Sequence, residues 1–396
     1  METTMVEGQN KPKRLKCQDL EEDRISALPD CLLHEILSRL LSTKAAIRTG
    51  LLSKRWKHLW TLVPSLYFND YICSSTGPDF FSNVDKTLTQ CRQLKLKKLD
   101  VDICYNIRSG SQISNWIRYA IDCNVEELKL KLLTMKDEFS LDQSFFINTC
   151  FTDLTISGCK FNPFGVISWK TLRNLCICFT YLDANLIENI LSGSPLLETL
   201  KLEGCYGYSR LDITSKSLKN LVLSGYYYFL QDDQYEDEYD HLDNIMEINA
   251  PNILSLTIEG DLWLWDLLLL DVSSLIEANL DYTSKSLFGE ISGNVSAFKE
   301  AEEEMLKRFI LNLSHVKEFK IGFRCSKVVS WLEAKGFVFP SNIKFSYVTC
   351  DWPDTDADWS DSNGDSDTAT DDDSDESGDG EVFLLDDGPN SDNQLN

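Results

Sequence analysis

The segment Leu197–Leu223, LETLKLEGCYGYSRLDITSKSLKNLVL, contains one six-residue pattern twice, at its two ends. Apolar residues occupy the first, fourth and sixth positions of each copy. The last two are two residues apart, so in an extended strand they point to the same side, and the residue between them points to the other. One such strand cannot bury its apolar side alone. The pattern therefore predicts a sheet built by stacking several copies.

The hexamer recurs along most of the chain. One copy carries little weight in a sequence with 43% hydrophobic residues, but nine copies, several of them 21–29 residues apart, indicate a repeat. The copies begin at Leu96, Val125, Phe151, Leu172, Leu197, Leu218, Ile253, Leu275 and Val316. They resemble the leucine-rich repeat in an irregular form, with Cys159 and Cys205 near the place of the usual asparagine. The resemblance implies a solenoid with one continuous core.

A second distinctive segment is 23–60, DRISALPDCLLHEILSRLLSTKAAIRTGLLSKRWKHLW, which has more apolar residues than so small a unit can hide. It predicts three short helices. Pro29 suits the first turn of the first helix, Ser42 or Thr43 can cap the second, and Ser53 can cap the third. A unit of about 40 residues is near the lower limit for independent folding. We therefore expect it to pack on the repeats as a cap or to dock on a second protein.

The residue order of this segment resembles the F-box, in the form found in plant F-box proteins with leucine-rich repeats. The matching positions are Leu28, Pro29, Asp30, Leu33, Ile36, Leu37, Leu40, Thr43, Lys44, Leu52, Ser53, Arg55, Trp56 and Trp60. Cys31, Leu41 and Gly50 depart from the residues usual there. The resemblance implies adaptor contacts through Leu28, Pro29, Leu32, Leu33, Ile36, Leu37 and Leu40. It also implies that Trp56 and Trp60 hold the helices together.

These features predict an α+β chain. An N-terminal three-helix F-box is followed by an irregular leucine-rich-repeat solenoid and a small α/β C-terminal region. That last region resembles the FBD domain in its order of helix, strand and LEAKGF (332–337) before a proline. The expected boundaries are 1–21 for a disordered polar tail, 22–70 for the F-box, 71–285 for the repeats, 286–350 for the FBD-like region and 351–396 for a disordered acidic tail.

The formal net charge of −25 is concentrated at the C-terminus, since residues 351–396 contain 17 acidic residues and no Lys or Arg. No basic stripe suited to nucleic acid is visible. The N-terminus has no secretory h-region, and no apolar run is long enough to span a bilayer. We therefore expect a soluble protein of the nucleus or cytoplasm with no membrane partner. Its 13 cysteines are expected to stay reduced, as small buried apolar residues.

Motifs for catalysis are missing from the sequence. The four histidines belong to no HExxH motif or cysteine-pair zinc motif, and no phosphate-binding glycine loop or GxSxG elbow occurs. Cys176 and Cys178 could in principle bind a metal, but no other ligand is near them in sequence. They are therefore interpreted as filler or surface residues of a strand. The sequence favours a binding protein with no cofactor, no metal site and no active site of its own.

The family resemblance implies a substrate-recognition subunit of an SCF-type cullin–RING ubiquitin ligase. In such a subunit the F-box binds a Skp-type adaptor and the repeats hold the target protein. Two alternatives stay open: a leucine-rich-repeat scaffold outside any ligase, with the N-terminal helices as a cap, and a small-molecule co-receptor. The candidate target-binding residues alternate outward on the predicted strands: Asp153, Thr155, Ser157, Thr199, Lys201, Glu203, Asn220, Val222, Ser255, Thr257 and Glu259.

Overall fold

The computed structural model describes residues 25, 28–40, 42–70, 78–91, 96–133, 138–226, 245–264, 266–284 and 295–346. The chain divides into two units, Met1–Val348 and Thr349–Asn396. The second unit lies outside the described residues, and so does the N-terminal segment 1–21. The disorder predicted for the two tails therefore remains a prediction. Among the residues that are described, none of the helices is long and apolar enough to cross a membrane.

The N-terminal unit consists of short helical segments that pack against one another. They are the α-helices α1 (Asp30–Ser38) and α2 (Thr43–Arg48) and the 3₁₀ helices Thr49–Leu51 and Trp56–Leu62. The third helix expected from the sequence is thus a 3₁₀ helix. It follows Arg55 and has no side-chain cap, so the expectation that Ser53 caps it is wrong.

Local sequence signals set the start of the first two helices. Pro29 immediately precedes α1 with φ −57° and ψ 149°, a place where its missing N–H removes no helical hydrogen bond. Asp30 lies in the first turn, near the positive end of the helix dipole. Ser42 caps α2, because its Oγ accepts a hydrogen bond from the backbone N–H of Ala45 at 3.2 Å.

Sixteen strands follow in the described part of the chain. They are β1 (Ser65–Asp70), β2 (Lys98–Cys104), β3 (Glu127–Leu133), β4 (Phe139–Ser140), β5 (Asp153–Ser157), β6 (Cys159–Lys160), β7 (Asn174–Cys178), β8 (Thr199–Cys205), β9 (Arg210–Asp212), β10 (Asn220–Tyr226), β11 (Ile245–Asn249), β12 (Ser255–Leu262), β13 (Asp266–Asp271), β14 (Glu277–Ser284), β15 (Glu318–Ile321) and β16 (Ile343–Phe345). Eleven of them form the main sheet, in the order β1-β2-β3-β5-β7-β8-β10-β12-β14-β15-β16, and neighbouring strands are parallel.

The repeats predicted from the sequence correspond to strands of the main sheet. The nine hexamer copies lie at β2, β3, β5, β7, β8, β10, β12, β14 and β15, which are consecutive in the sheet. The three apolar positions of every copy are at most 3% exposed. The prediction of a repeat array with one continuous core is confirmed, and β1 and β16 extend the sheet at its two edges.

The return segments between these strands are irregular. They include the helices α3 (Pro78–Gln90), α4 (Gly110–Asp122), α5 (Gln143–Phe146), α6 (Ala184–Gly193), α7 (Val295–Asn312) and α8 (Ser326–Ala334). In the repeats after β8, β10 and β12 the return segment is a strand, and these strands form a second parallel sheet, β13-β11-β9. The hexamer pattern alone does not place these elements, because it describes only the strand half of each repeat.

Aromatic side chains fill the core near the middle of the array. Phe145, Phe146, Phe151, Phe161 and Trp169 are all buried, and their ring centroids lie 5.5–6.2 Å apart in the pairs that contact one another. The indole Nε1 of Trp169 donates a hydrogen bond to the backbone oxygen of Phe145 at 2.9 Å. The buried tryptophan is therefore satisfied and packs as a core residue.

The N-terminal helices share this core. The buried residues of α1 and of the Trp56–Leu62 helix belong to the same cluster as the buried residues of the strands. The Oγ1 of Thr43 accepts a hydrogen bond from the backbone N–H of Tyr67 at 2.7 Å, which links α2 to β1. The N-terminal unit thus packs on the repeats. Its size had led us to expect either this packing or docking on a second protein.

The C-terminal segment also joins the main sheet. β15 pairs with β14, and β16 pairs with β15. Arg324 lies between β15 and α8, and its Nη1 contacts Asp261 Oδ1 at 2.8 Å. Lys335 forms an ion pair with the buried carboxylate of Glu303. The segment 295–346 contains the predicted order of helix, strand and helix, and it continues the sheet of the repeats.

The described cysteines are mostly reduced. Nine are free, and burial raises the pKa of the Cys91 thiol to about 11 and that of the Cys205 thiol to about 12. Such thiols are inert at neutral pH. Cys104, at the end of β2, is disulfide-bonded. The expectation that all cysteines stay reduced is therefore wrong at this residue. The sequence could not have predicted the bond, because nothing in the local sequence distinguishes Cys104 from the buried free cysteines.

Gly158 is predicted to be intolerant of any side chain. Its φ is +69°, and a Cβ there would lie 1.8 Å from the backbone oxygen of Leu132. We expect Gly158→Ala to lower the free energy of unfolding by about 3 kcal/mol or more, from the left-handed backbone and the overpacking together. Urea unfolding of the full chain, followed by tryptophan fluorescence, measures the loss.

Gly336 offers a matched control, since its φ is +79° and no atom lies within 4 Å of the place that a Cβ would occupy. Gly336→Ala should cost only the backbone contribution, about 1 kcal/mol. Equal losses in the two variants would show that the contact with Leu132 does not limit position 158.

Candidate functional site

Helix α1 has both a buried and an exposed apolar face. Leu33 and Leu37 are 0% and 2% exposed, whereas Leu32 and Ile36 are 48% and 43% exposed. Each pair is four residues apart, so each lies along one side of the helix. The sequence interpretation assigned all four to adaptor contact. Leu33 and Leu37 pack into the core of their own chain and offer no free surface here, so adaptor contact through these two residues stays a prediction.

The other predicted contact residues are intermediate cases. Leu28 and Leu40 are partly buried and pack against the core, and Pro29 is exposed. Trp56 and Trp60 are both buried. Both tryptophans belong to the core cluster of the chain, and their role in holding the helices together stays a prediction.

Four further apolar side chains of the helical segments 30–62 are exposed, and the predicted adaptor contacts did not include them. They are Ile47, Leu51, Leu52 and Leu62, of which Leu51 is 90% exposed. We call these four residues, together with Leu32 and Ile36, the apolar N-terminal surface. Leu51 and Leu52 are adjacent apolar residues at the end of a short 3₁₀ helix, where one of them at most can face a core. That pairing is the signal in the sequence that could have identified them.

An exposed ion pair connects the start of α1 to the third helical segment. The Nη2 of Arg55 lies 2.5 Å from Asp30 Oδ1 and donates to the backbone oxygen of Leu28 at 2.6 Å. Its Nε donates to the same carboxylate oxygen at 3.0 Å. Charge-assisted contacts of this kind fix direction more than they add stability at an exposed site. Arg55 thus holds the beginning of α1, the part of the helix next to Leu32, in place.

The second candidate surface is the outward face of the main sheet. All eleven predicted target-binding residues lie on this face and all are partly exposed. The strand register arranges them in three rows across the sheet. The first row contains Asp153, Thr199, Asn220 and Ser255. The second contains Thr155, Lys201, Val222 and Thr257, and the third contains Ser157, Glu203 and Glu259. Side chains that are far apart in sequence are therefore neighbours on one surface.

Charges on the outward face are paired both within a strand and between strands. Lys201 Nζ lies 3.2 Å from Glu203 Oε2 and 3.4 Å from Glu259 Oε1. Burial lowers the pKa of Lys201, but its hydrogen bond to Glu203 and the two carboxylate charges outweigh this and raise the pKa overall. Lys129 Nζ lies 3.3 Å from Asp100 Oδ2. Burial raises the pKa of Asp100, and the nearby charge of Lys129 opposes this only in part. The face therefore carries both signs of charge, with no large patch of either.

Aromatic side chains lie beside this face, at the ends of β7 and β8. Phe179 and Tyr181 are exposed, and Phe179 has a left-handed backbone with φ 51°. The Tyr181 ring meets the Tyr206 ring edge-on, with centroids 5.8 Å apart. An open cleft of about 590 Å³ extends from these two tyrosines to Lys160 and Asp183. These aromatic residues follow the hexamers, so the alternation that identified the other candidates does not reach them.

One cluster of potential metal ligands is present in the described part of the chain. Only one group of at least three His, Cys, Asp or Glu side chains there has all its ligand atoms within 4.8 Å of one another. It consists of Cys176, Cys178 and Glu203. The sequence interpretation considered the two cysteines and found no third ligand. The third ligand comes from the neighbouring strand.

Two family models match the chain. The one described as "At1g61320/AtMIF1, LRR domain" matches residues 88–288, just over half of the chain, and the F-box domain matches residues 25–67. The F-box match thus contains the apolar N-terminal surface, and the repeat match contains all eleven candidate residues on the outward face of the main sheet.

The chain is also similar to curated proteins of Arabidopsis thaliana. F-box protein At5g03100 is 33% identical over 321 residues, which cover 80% of this chain and 94% of that protein. Putative F-box protein At1g49610 is 33% identical over 321 residues, or 80% of this chain and 74% of that protein. F-box/LRR-repeat protein At5g02910 is 30% identical over 323 residues, or 81% of this chain and 64% of that protein.

The fold has helical segments at one end of a parallel repeat sheet, and both parts match their family models at the expected places. The chain therefore belongs to the plant F-box/leucine-rich-repeat proteins.

Proposed function

We propose that this chain is a substrate-recognition subunit of an SCF-type cullin–RING ubiquitin ligase. The apolar N-terminal surface is the observation that carries the proposal. Some side chains of the helical segments 30–62 complete the core of the repeats, and six other large apolar side chains of these segments are exposed. Exposed groups of apolar residues mark protein interaction sites. In the F-box family the partner at this place is a Skp-type adaptor.

Energetics favour a partner over solvent at this surface. A fully buried Leu or Ile contributes roughly 1.5–3 kcal/mol, so Leu32, Ile36, Leu51 and Leu52 forgo several kcal/mol while they are exposed. The core of the chain already takes Leu33, Leu37, Trp56 and Trp60 from the same segment. A cap for the repeats needs only this buried set. The exposed set therefore supports an adaptor-binding role in addition to the capping role.

The outward face of the main sheet is proposed to hold the target protein. Its mixed and paired charges suit a polar protein surface, and Phe179 and Tyr181 beside it are the residue types that dominate binding energy in protein interfaces. The chain itself would perform no chemistry. It would raise the effective concentration of the target near the ubiquitin-charged enzyme.

Three finer assignments belong to the same proposal. The helical segments 30–62 would act as the three-helix F-box, although the third is a 3₁₀ helix. The region 286–350 would be an FBD domain, which its order of helix, strand and helix supports. The protein would act in the nucleus or the cytoplasm, where cullin–RING ligases work.

We expect the double variant Leu32→Asp/Ile36→Asp to lose adaptor binding. Two charges on the exposed side of α1 would have to be desolvated in the interface, and roughly 3–6 kcal/mol of apolar burial would be lost, so affinity should fall at least about 100-fold. Co-purification with a plant Skp-type adaptor, followed by titration calorimetry, measures the change. Both residues are exposed, so thermal unfolding should be almost unaltered.

Leu311→Asp is the matched control, since Leu311 is an exposed leucine on α7, in the C-terminal part of the chain. It should bind the adaptor like the wild type. If the wild-type chain binds no Skp-type adaptor, or the double variant binds as tightly as the wild type, the ligase proposal fails. The F-box would then serve only as the cap of a repeat scaffold.

Target capture should depend on the exposed aromatic residues beside the outward face. With the proteasome blocked, proteins enriched by the wild-type chain should be enriched at least about 10-fold less by Phe179→Ala/Tyr181→Ala, because truncation of a central aromatic contact costs about 1–2 kcal/mol or more. Adaptor recovery should stay the same. Phe323→Ala, which removes an exposed ring in the C-terminal segment, serves as control. Equal capture by all three chains would place the target elsewhere.

A further inference from the structure

Two cysteines and a glutamate form a compact cluster at the centre of the outward face of the main sheet. Cys176 and Cys178 are both in β7, and their Sγ atoms are 3.6 Å apart. One carboxylate oxygen of Glu203, in β8, lies within 4.8 Å of both sulfur atoms. Strand β7 is the fifth of the eleven strands, so the cluster is far from either edge of the sheet.

The register of the sheet brings these residues together. Cys178 lies directly beside Glu203, and Cys176 lies beside Lys201. The two cysteines are two residues apart on one strand, which turns both side chains to the same face. Cys176 and Glu203 are partly exposed, and Cys178 is buried beneath its neighbours. Two of the three donor groups are therefore open to an ion from solution.

The distance between the two sulfur atoms suits a tetrahedral metal ion. Zinc binds thiolate at about 2.3 Å, so two sulfur ligands at the tetrahedral angle are about 3.8 Å apart. The observed 3.6 Å is close to this separation, so binding requires little movement of the sulfur atoms. A disulfide would require the same atoms to approach to about 2.05 Å. The pair is therefore arranged for ligation better than for oxidation.

The surroundings act differently on the two thiols. The hydrogen bond between Cys176 and Cys178 lowers the pKa of Cys176, and the ammonium groups of Lys201 and Lys131 act in the same direction against burial and the charge of Glu203. The same hydrogen bond, together with burial, raises the pKa of Cys178.

We propose that Cys176, Cys178 and Glu203 bind one Zn²⁺ ion on the outward face of the main sheet. Two thiolates exclude Mg²⁺ and Ca²⁺, which take oxygen ligands, and the carboxylate is a normal third ligand for zinc. The Oε2 of Glu203 contacts Lys201, which restrains the carboxylate in its position. Three protein ligands leave the fourth tetrahedral position to water or to a donor from outside the chain.

Binding can be measured directly on the full-length chain. The reduced protein is freed of metal with a chelator and titrated with Co²⁺, whose thiolate charge-transfer and d–d absorption report sulfur ligands and tetrahedral geometry. Zn²⁺ is then added in competition with a chromophoric chelator. We expect one Co²⁺ per chain with thiolate charge-transfer absorption, displaced by one Zn²⁺. The acidic C-terminal segment cannot produce this absorption, because carboxylates have no such band.

Variants test the three ligands separately. Cys176→Ser and Cys178→Ser should each weaken Zn²⁺ binding at least about 100-fold, more than the 10–100-fold typical for loss of an outer-shell partner, and Glu203→Gln should weaken it about 10-fold or more. Glu259→Gln is the control for the carboxylate, since Glu259 also contacts Lys201 but is outside the cluster. Cys150→Ser is the control for the thiols, since Cys150 is a partly exposed free cysteine elsewhere in the repeats. Both controls should bind like the wild type.

A measurement on the wild-type chain covers the case of a variant that fails to fold. Zn²⁺ should protect the partly exposed Cys176, but not Cys150, from alkylation, as read by peptide mass spectrometry. The proposal is overturned if the chain shows no thiolate charge transfer, or if Cys176→Ser and Cys178→Ser bind metal like the wild type. It is also overturned if the pair is recovered as a disulfide and takes up no metal after reduction. Because no readout uses the adaptor, failure here is distinct from failure of the ligase proposal.

Discussion

The register between neighbouring parallel strands, which shifts only after Ser224 in the pairings from β2 to β14, is the constraint on which the rest of the structure depends. From β2 to β14 the buried positions of each strand lie beside the buried positions of the next. A slip by one residue would turn an apolar pair such as Leu200 and Leu202 toward solvent, so the core itself fixes the alignment. This alignment also fixes which outward residues lie beside one another on neighbouring strands. They form rows across the sheet, and both the charge pairs of Lys201 and the Cys176–Cys178–Glu203 cluster are products of those rows.

The F-box meets two opposite demands with one short helix. Leu33 and Leu37 are needed inside to complete a core that the repeats begin, and Leu32 and Ile36 are left outside. Forty residues cannot bury all of these side chains, and the structure divides them by helical face. The buried residues of the helix therefore stabilise the unit, and different residues of the same helix form its exposed apolar surface.

The strand half of the fold was predictable because burial repeats locally in the sequence. The nine hexamers correspond to nine consecutive strands for that reason. The return segments were not predictable, since β9, β11 and β13 replace helices without a comparable pattern. In α1 the two apolar stripes have the same spacing, and only the packing of the helix against the Trp56–Leu62 segment decides which one is buried. Glu203 was overlooked as a ligand although it is 25 residues after Cys178, one full repeat, so aligning the repeats by their hexamers places the two side by side.

The shared core between the F-box and the first strand has a geometric consequence. Thr43 binds the backbone of β1, and β1 is already part of the main sheet, so the helical segments are joined directly to the sheet of the repeats. Each strand then stands at a set distance from the F-box, and every further strand adds about 4.8 Å. Under the proposed function, the number of repeats sets the distance between the F-box and a bound target. Gain or loss of one repeat would shift a bound target by one such step relative to the ligase, and with it the set of target lysines within reach of ubiquitin.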